Sequence, residues 1–330
     1  MAGELDFEKP IVEVERKIEE LRNVTSNKKL DFEPEIKKLE ARLEKMKREI
    51  FSQLTPWQRV QLARHPRRPL TMDYIRMIFS DFVELHGDRL FGDDKALIGG
   101  MAFFEKTRTM ILGHQKGKDT KENLIRNFGS AHPEGYRKAM RLMAMAEKFT
   151  LPLVCFVDTP GAYPGIGAEE RGQAHAIAEN IRFMSGLRIP ILVIVIGEGG
   201  SGGALGIGVG DRVCVLENAY YSVISPEGCS AILWKDRTKA KEAAECLRLT
   251  AKDLLELKLI DRIIEEPLGG AHRDPEAMAL RVKSVIQEYL HELHGVNIDE
   301  IVQQRYEKFR RMGVFSAQGG SASGGEEATQ

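Results

Sequence analysis

The stretch Gly197-Glu198-Gly199-Gly200-Ser201-Gly202-Gly203-Ala204-Leu205 decides how this chain is read. It follows an uninterrupted apolar run, Ile191-Leu192-Val193-Ile194-Val195-Ile196, which reads as a buried strand. It continues into small, helix-compatible residues, Ala204-Leu205-Gly206-Ile207-Gly208-Val209-Gly210. Five glycines in the seven positions 197–203 are costly, because each loses more backbone entropy on folding than alanine does. Strand, glycine turn and helix start together gather free backbone N–H groups at the positive end of a helix dipole. Such a point can hold a phosphate, a carboxylate or a developing oxyanion.

Outward from this stretch, the same unit occurs twice. Leu151-Pro152 opens an apolar strand that ends in Asp158-Thr159-Pro160-Gly161-Ala162-Tyr163-Pro164-Gly165, followed by a long helix expected over residues 168–186. Ile189-Pro190 then opens the strand that leads into the glycine stretch. Strands joined by helical crossovers are parallel neighbours. Both glycine loops therefore fall at the carboxyl ends of adjacent strands, where α/β proteins bind ligands. Further strands are expected at residues 96–104, 109–114, 212–216, 219–224 and 261–265. Helices are expected at residues 71–85, 136–149, 230–260, 275–293 and 298–312.

Residues 1–50 carry two apolar seams at helical spacing, Ile11, Val14, Ile18, Leu21 and then Ile36, Leu39, Leu43, Met46, Ile50. They read as a helical hairpin arm, residues 1–55, that packs on the main domain or on another chain. Residues 56–296 form the main domain, residues 297–315 a C-terminal helix and residues 316–330 a disordered Gly/Ser-rich tail. Arg64-His65-Pro66-Arg67-Arg68-Pro69 is expected as an irregular connector, either solvated or touching a phosphate. The basic loop with Lys116 and Lys118, together with Arg126, reads as phosphate contacts or as ordinary surface cations.

The net charge of −1 over 330 residues gives no polyelectrolyte signal for nucleic acid. The longest apolar run is far short of the ~20 residues that span a bilayer. Glu4, Asp6 and Glu8 at the start, with no apolar run, do not form a secretory signal. Cys155, Cys214, Cys229 and Cys246 include no CxxC pair and are expected as reduced thiols of a cytoplasmic protein.

The glycine stretch is open to three chemistries. Gly197-x-Gly199-x-x-Gly202 with Glu217 downstream matches a dinucleotide fingerprint, but residues 204–210 are too short and glycine-rich for its helix. Asp158-Thr159-Pro160-Gly161 is similar to a GTPase magnesium loop, yet no G-x-x-x-x-G-K-[ST] cradle accompanies it. There is no G-x-S-x-G elbow around Ser201 and no set of metal-ligand spacing. What remains is a backbone oxyanion hole, with Gly202 and Gly203 as donors worth ~3 kcal/mol each in the transition state. A bulky residue at Gly203 is expected to abolish this function while leaving the fold largely intact.

Eight ordered motifs then carry a resemblance over residues 5–312. They are Asp158-Thr159-Pro160-Gly161-Ala162-Tyr163-Pro164-Gly165, Glu169-Glu170-Arg171-Gly172-Gln173, the stretch 197–205, and Ser222-Val223-Ile224-Ser225-Pro226-Glu227-Gly228-Cys229. With them stand His114-Gln115-Lys116-Gly117, Asn127-Phe128-Gly129, Pro133-Glu134-Gly135-Tyr136-Arg137-Lys138 and Glu266-Pro267-Leu268-Gly269-Gly270-Ala271-His272-Arg273. Together they resemble the carboxyltransferase alpha subunit of bacterial acetyl-CoA carboxylase. The resemblance implies an α/β, crotonase-like (ClpP/crotonase) fold of repeated ββα units with an N-terminal helical arm and C-terminal helices. It implies transfer of the carboxyl group from carboxybiotin to acetyl-CoA, giving malonyl-CoA for fatty acid synthesis. Gly202 and Gly203 match the positions that hold the biotin oxygen. Gly161, Ala162, Tyr163, Pro164, Gly165, Ser201, Ser225, Pro226, Glu227 and Gly228 match the biotin and acetyl-CoA pocket. The implied partners are a zinc-ribbon beta subunit in an alpha2beta2 heterotetramer, the biotin carboxyl carrier protein, and biotin carboxylase, which uses the ATP. No metal is expected in this chain, and no membrane or nucleic-acid partner. The alternative is a CoA-binding crotonase relative, a hydratase, an isomerase or a non-catalytic binding module, for which Glu169 and Glu170 are the loop-adjacent bases.

Overall fold

The computed structural model of the chain describes residues 4–28 and 32–313; the expected glycine-serine tail lies outside them. Eight strands form one mixed sheet. They are β1 (Ser80–Glu84), β2 (Leu97–Phe104), β3 (Thr107–His114), β4 (Leu153–Thr159), β5 (Ile191–Gly200), β6 (Arg212–Leu216), β7 (Tyr220–Ser222) and β8 (Arg262–Ile264). The order is β1-β2-β3-β4-β5-β6-β8, with β7 pairing to the end of β5. β1 to β3 are antiparallel, and from β3 through β8 the pairs are parallel. β4 and β5 lie in the middle and are buried along their whole length, which is why they read as continuous apolar runs rather than alternating ones.

The helices are α1 (Lys9–Lys28), α2 (Glu33–Ser52), α3 (Pro56–Ala63), α4 (Thr71–Ile78), α5 (Thr120–Ile125), α6 (Pro133–Lys148), α7 (Ile166–Glu170), α8 (Gln173–Gly186) and α9 (Ser201–Leu205). They continue with α10 (Pro226–Trp234), α11 (Ala240–Cys246), α12 (Ala251–Glu256), α13 (Pro275–Glu292) and α14 (Ile298–Arg310). The main core joins the inner strands to apolar faces of α4, α6, α8 and α13. Arg305 pins α14 to this body. Its guanidinium is fully buried and donates to Asp211 Oδ1 (2.6 Å) and to the carbonyls of Met184, Leu187 and Ile189.

Several expectations need correction. The helix expected over residues 71–85 stops at Ile78, and residues 80–84 pair with β2 as an edge strand. Gly172, in the left-handed region at φ +79°, divides the helix expected over residues 168–186 into α7 and α8. The segment 230–260 breaks into the end of α10, then α11 and α12. The strand before the glycines does not end at Ile196. It continues to Gly200, because β7 pairs with Glu198, Gly199 and Gly200. Just before the expected connector, α3 is capped by a Thr55–Gln58 box.

The hairpin arm has a small core of its own around Val14, Ile18 and Ile36. It docks on the main body through Glu8. That carboxylate is 3.2 Å from His272 Nε2 and accepts from Arg273, while Glu15 accepts from Arg273 at 2.7 Å.

Candidate functional site

β4 and β5 bring the two glycine loops side by side, as their parallel pairing requires. Gly200 ends β5, and Ser201, at φ +49°, reverses the chain into α9. No side chain caps α9, so its first N–H groups are left to whatever lies in front of them. The facing loop presents a further donor. Gly161 N–H donates to Thr159 Oγ1 (3.1 Å) and Tyr163 N–H to the Ala131 carbonyl (3.0 Å); the Ala162 N–H between them has no partner among the described residues.

The two glycines expected as donors differ in kind. A β-carbon on Gly203 would lie 2.4 Å from Ala162 N and 2.5 Å from Gly161 C. Gly203 is thus required by the packing of one loop on the other. A β-carbon on Gly202 would meet nothing nearer than Ile177, at 3.8 Å. The expectation that a bulky residue at 203 spares the fold is therefore corrected, since it would strike backbone.

Ser201 and Gly202 border a cavity of about 390 Å³ whose remaining walls include Leu205, Tyr221, Val223, Leu254 and Phe309. Most of its lining is apolar, and Phe309 of α14 together with Met312 just beyond that helix closes one side.

Behind the turn lies a buried charge frame. Glu198, in β5, accepts from Arg64 Nε (2.6 Å), Lys116 Nζ (2.7 Å) and the Tyr220 hydroxyl (2.6 Å). Lys116 also bonds Asp158 Oδ1 (2.7 Å), and Arg64 reaches Glu227 (2.5 Å). Burial alone would raise the Glu198 carboxyl, but Lys116 and Arg64 hold it down at about 2. Burial disfavours the charged Lys116, yet Asp158 and Glu198 outweigh it and the ammonium is held more firmly than usual. Arg68, expected in a connector, is instead fully buried on Glu266.

The remaining expected site residues are spread over several elements. Ser225 Oγ caps α10 by accepting from Gly228 N (3.1 Å), and Pro226 opens that helix. Tyr163 stacks on His132 at 4.1 Å. Lys116 is turned inward, whereas Lys118 is largely exposed and pairs with Asp73. Arg126 is bound to Glu122 and to the Lys95 carbonyl. Glu169 and Glu170 are exposed on α7.

Glu8, His65 and His272 bring three metal-capable donors within 4.8 Å of one another. The two imidazoles are stacked at 3.9 Å and 28°, so their in-plane lone pairs run nearly parallel and cannot converge on an ion ~2 Å from each. Arg273 also occupies Glu8. The cluster fits a latch for the arm better than an ion.

A family model described as acetyl co-enzyme A carboxylase carboxyltransferase-like matches residues 4–313. The chain belongs to this family. Its chemistry is carboxyl transfer, as a subunit of a multisubunit carboxylase. It is 58% identical over 313 residues to the acetyl-coenzyme A carboxylase carboxyl transferase subunit alpha of Geobacter metallireducens, covering 95% of this chain and 98% of that one. The Thermus thermophilus protein of the same name is 55% identical, over 94% of this chain and 99% of its own. Among solved structures, transcarboxylase 12S aligns with a TM-score of 0.54 at 20% identity, over 66% of this chain and 41% of that longer one. The beta subunit of geranyl-CoA carboxylase from P. aeruginosa aligns at 0.53 and 15% identity, over 77% of this chain and 45% of that one. These likenesses establish the crotonase-like fold.

The charge frame was not foreseen. Its members Arg64, Lys116, Asp158, Glu198 and Tyr220 are scattered over the chain. One signal was available: Glu198 is a carboxylate inside a glycine run that ends a buried strand, and a buried charge demands a partner.

Proposed function

We propose that this carboxyltransferase subunit acts with a beta subunit to move the carboxyl group of carboxybiotin, held on the biotin carboxyl carrier protein, to acetyl-CoA. The product is malonyl-CoA, the first committed intermediate of fatty acid synthesis. Carboxybiotin, when bound, supplies the carboxyl carbon and leaves negative charge on its ureido oxygen. In this chain the N–H groups of Gly202 and Gly203, at the uncapped start of α9, donate to that oxygen. The observation that carries this reading is that Gly202, at the uncapped start of α9, lines a mainly apolar cavity and could carry a β-carbon with no contact closer than 3.8 Å. An apolar ring bearing one charged oxygen fits a site of that kind.

The chain's own groups orient rather than exchange protons. Ser201 and Tyr221 border the cavity, and Gly161 and Ala162 pack against Gly203 beside it. Lys118 and Arg126 are the cations proposed for contact with CoA phosphates. Val223, just before α10, and Ile232 and Leu233, in its last turn, are exposed apolar side chains suited to a partner chain. That partner is a zinc-ribbon beta subunit, in an alpha2beta2 assembly served by a separate biotin carboxylase. No helix among the described residues is long and apolar enough to cross a membrane, and we assign the complex to the cytoplasm.

The test is a Gly202→Val substitution in the complex with beta, running the reaction backwards from malonyl-CoA to biocytin. The expected loss is at least tenfold in kcat/KM for biocytin, with the KM for malonyl-CoA little changed. An unaltered biocytin kcat/KM removes Gly202 from the site.

A further inference from the structure

We infer that Lys116 is a positioning residue for carboxyl transfer, clamping a bulge in the central sheet so that the Ser201–Gly203 turn is aimed at the Gly161-Ala162 loop. The inference rests on the proposed role of that turn and adds a residue that does not touch the substrate.

The bulge is visible in the register. Val157 of β4 pairs with Val195 of β5, but Thr159 pairs with Gly199. Asp158 alone therefore faces Ile196, Gly197 and Glu198. Bulges of this kind bend a strand and re-aim the residues beyond it, and they interrupt the ladder hydrogen bonds. Here side chains replace the lost ladder. Asp158 Oδ1 accepts the Glu198 N–H at 3.0 Å and Lys116 Nζ at 2.7 Å. Lys116 Nζ then reaches Glu198 Oε2 at 2.7 Å. One ammonium thus ties β4 to the bulged residue of β5, two positions before the strand ends at Gly200. Between Glu198 and Gly203 the chain must come close enough to the neighbouring loop that Gly203 lies against Ala162.

Lys116 is itself held in place. Gln115 Nε2 donates to the Lys116 carbonyl (2.8 Å), while Gln115 Oε1 accepts from Met72 N (2.8 Å). The next residue, Gly117, donates its N–H to Asn123 Oδ1 (2.9 Å). The ammonium is therefore delivered from a braced loop rather than from a free surface side chain. The other charged groups on this frame are Arg64 from the end of α3 and Glu227 from α10, with the Tyr220 hydroxyl from β7. Arg64 serves Glu198 but does not bond Asp158, so it cannot span the bulge in place of Lys116.

The experiment uses the full chain assembled with a beta subunit, and two variants, Lys116→Met and Lys116→Met/Asp158→Asn. The wild-type complex must first convert malonyl-CoA and biocytin to acetyl-CoA; failure there sinks the functional reading, not the clamp. Lys116→Met is expected to lose stability and to lower kcat by about a hundredfold, the scale of one misaimed oxyanion donor, with the KM for malonyl-CoA within about threefold. The double variant also removes the charge of Asp158, which Lys116→Met leaves unpaired because Arg64 holds Glu198 and not Asp158. It is expected to recover thermal stability toward wild type while kcat stays at least tenfold low, because the bulge remains unclamped. Recovery of kcat along with stability would mean that Lys116 only neutralises charge. A wild-type kcat in the single variant, or failure of both variants to fold and bind beta, would likewise overturn the assignment.

Discussion

Gly203 packs so closely on Ala162 that a β-carbon there would lie 2.4 Å from the Ala162 nitrogen, while a β-carbon on its neighbour Gly202 would only reach ordinary contact with Ile177, at 3.8 Å. Two adjacent glycines of one turn thus serve different ends. Gly203 lets the two loops meet, and Gly202 borders the cavity with room for a β-carbon.

Substitutions at the two positions should therefore separate. Gly203→Ala is expected to cost about 1–3 kcal/mol by overpacking against backbone, lowering the melting temperature and activity together. Gly202→Val is expected to melt within about 2 °C of wild type, the shift that less than ~1 kcal/mol produces, yet to lose carboxyl transfer. Thermal unfolding of both variants beside their kinetics checks this; equal destabilisation would contradict it.

Arg305→Met removes the buried partner of Asp211 and of three carbonyls. Breaking a buried pair this way costs about 3–5 kcal/mol. Because α14 carries Phe309 at the cavity wall, the variant is also expected to expose this helix to protease. Urea denaturation and limited proteolysis, monitored at the C-terminal end, provide the check.

The arm latch sets an acid limit. Burial would raise the Glu8 carboxyl, but hydrogen bonds from His272 and Arg273 bring it down to about 2 from an ordinary value of 4.5. A carboxyl depressed in the folded state stabilises above its unfolded value, and that stability is lost as pH falls through the folded one. Stability is thus expected to decline from about pH 4.5 towards pH 2. Glu198, also held at about 2, should lose its share over the same window. Glu8→Gln should flatten part of the slope; an identical slope in that variant would show that the latch contributes nothing.

Thiol reactivity offers a simple check on the core. Cys155, Cys214 and Cys229 are buried, while Cys246 is exposed on α11. Burial pushes the Cys214 thiol up to about 12 and the Cys155 thiol higher still. One thiol per chain is expected to react quickly with a disulfide reagent under native conditions, and Cys246→Ser should remove that phase.

The sheet centre was legible in the sequence because β4 and β5 are apolar on both faces and leave no competing periodicity. The parallel pairing came from the spacing of the two strand–loop–helix units. The extension of β5 through Gly200 was not legible, since it depends on β7 pairing from twenty residues downstream. Residues 80–84 look helical because their apolar positions continue those of α4, and only pairing with β2 makes them a strand. In the site, glycine positions were readable as a group, but not the difference between Gly202 and Gly203, which is a matter of what lies across the gap. Of the frame, only the need of Glu198 for a partner was legible; that Arg64, Lys116 and Asp158 meet it follows only once the strands are placed. The same holds for Glu8 and His272, separated by 264 residues.

The most direct measurement is acetyl-CoA formation from malonyl-CoA and biocytin, with this chain alone, a beta subunit alone, and the two mixed. Turnover is expected only in the mixture, rising to a plateau at equal amounts of the two chains and lost with Gly202→Val. No turnover from the mixture, using a beta subunit that is active with its own alpha chain, would contradict the shared active site.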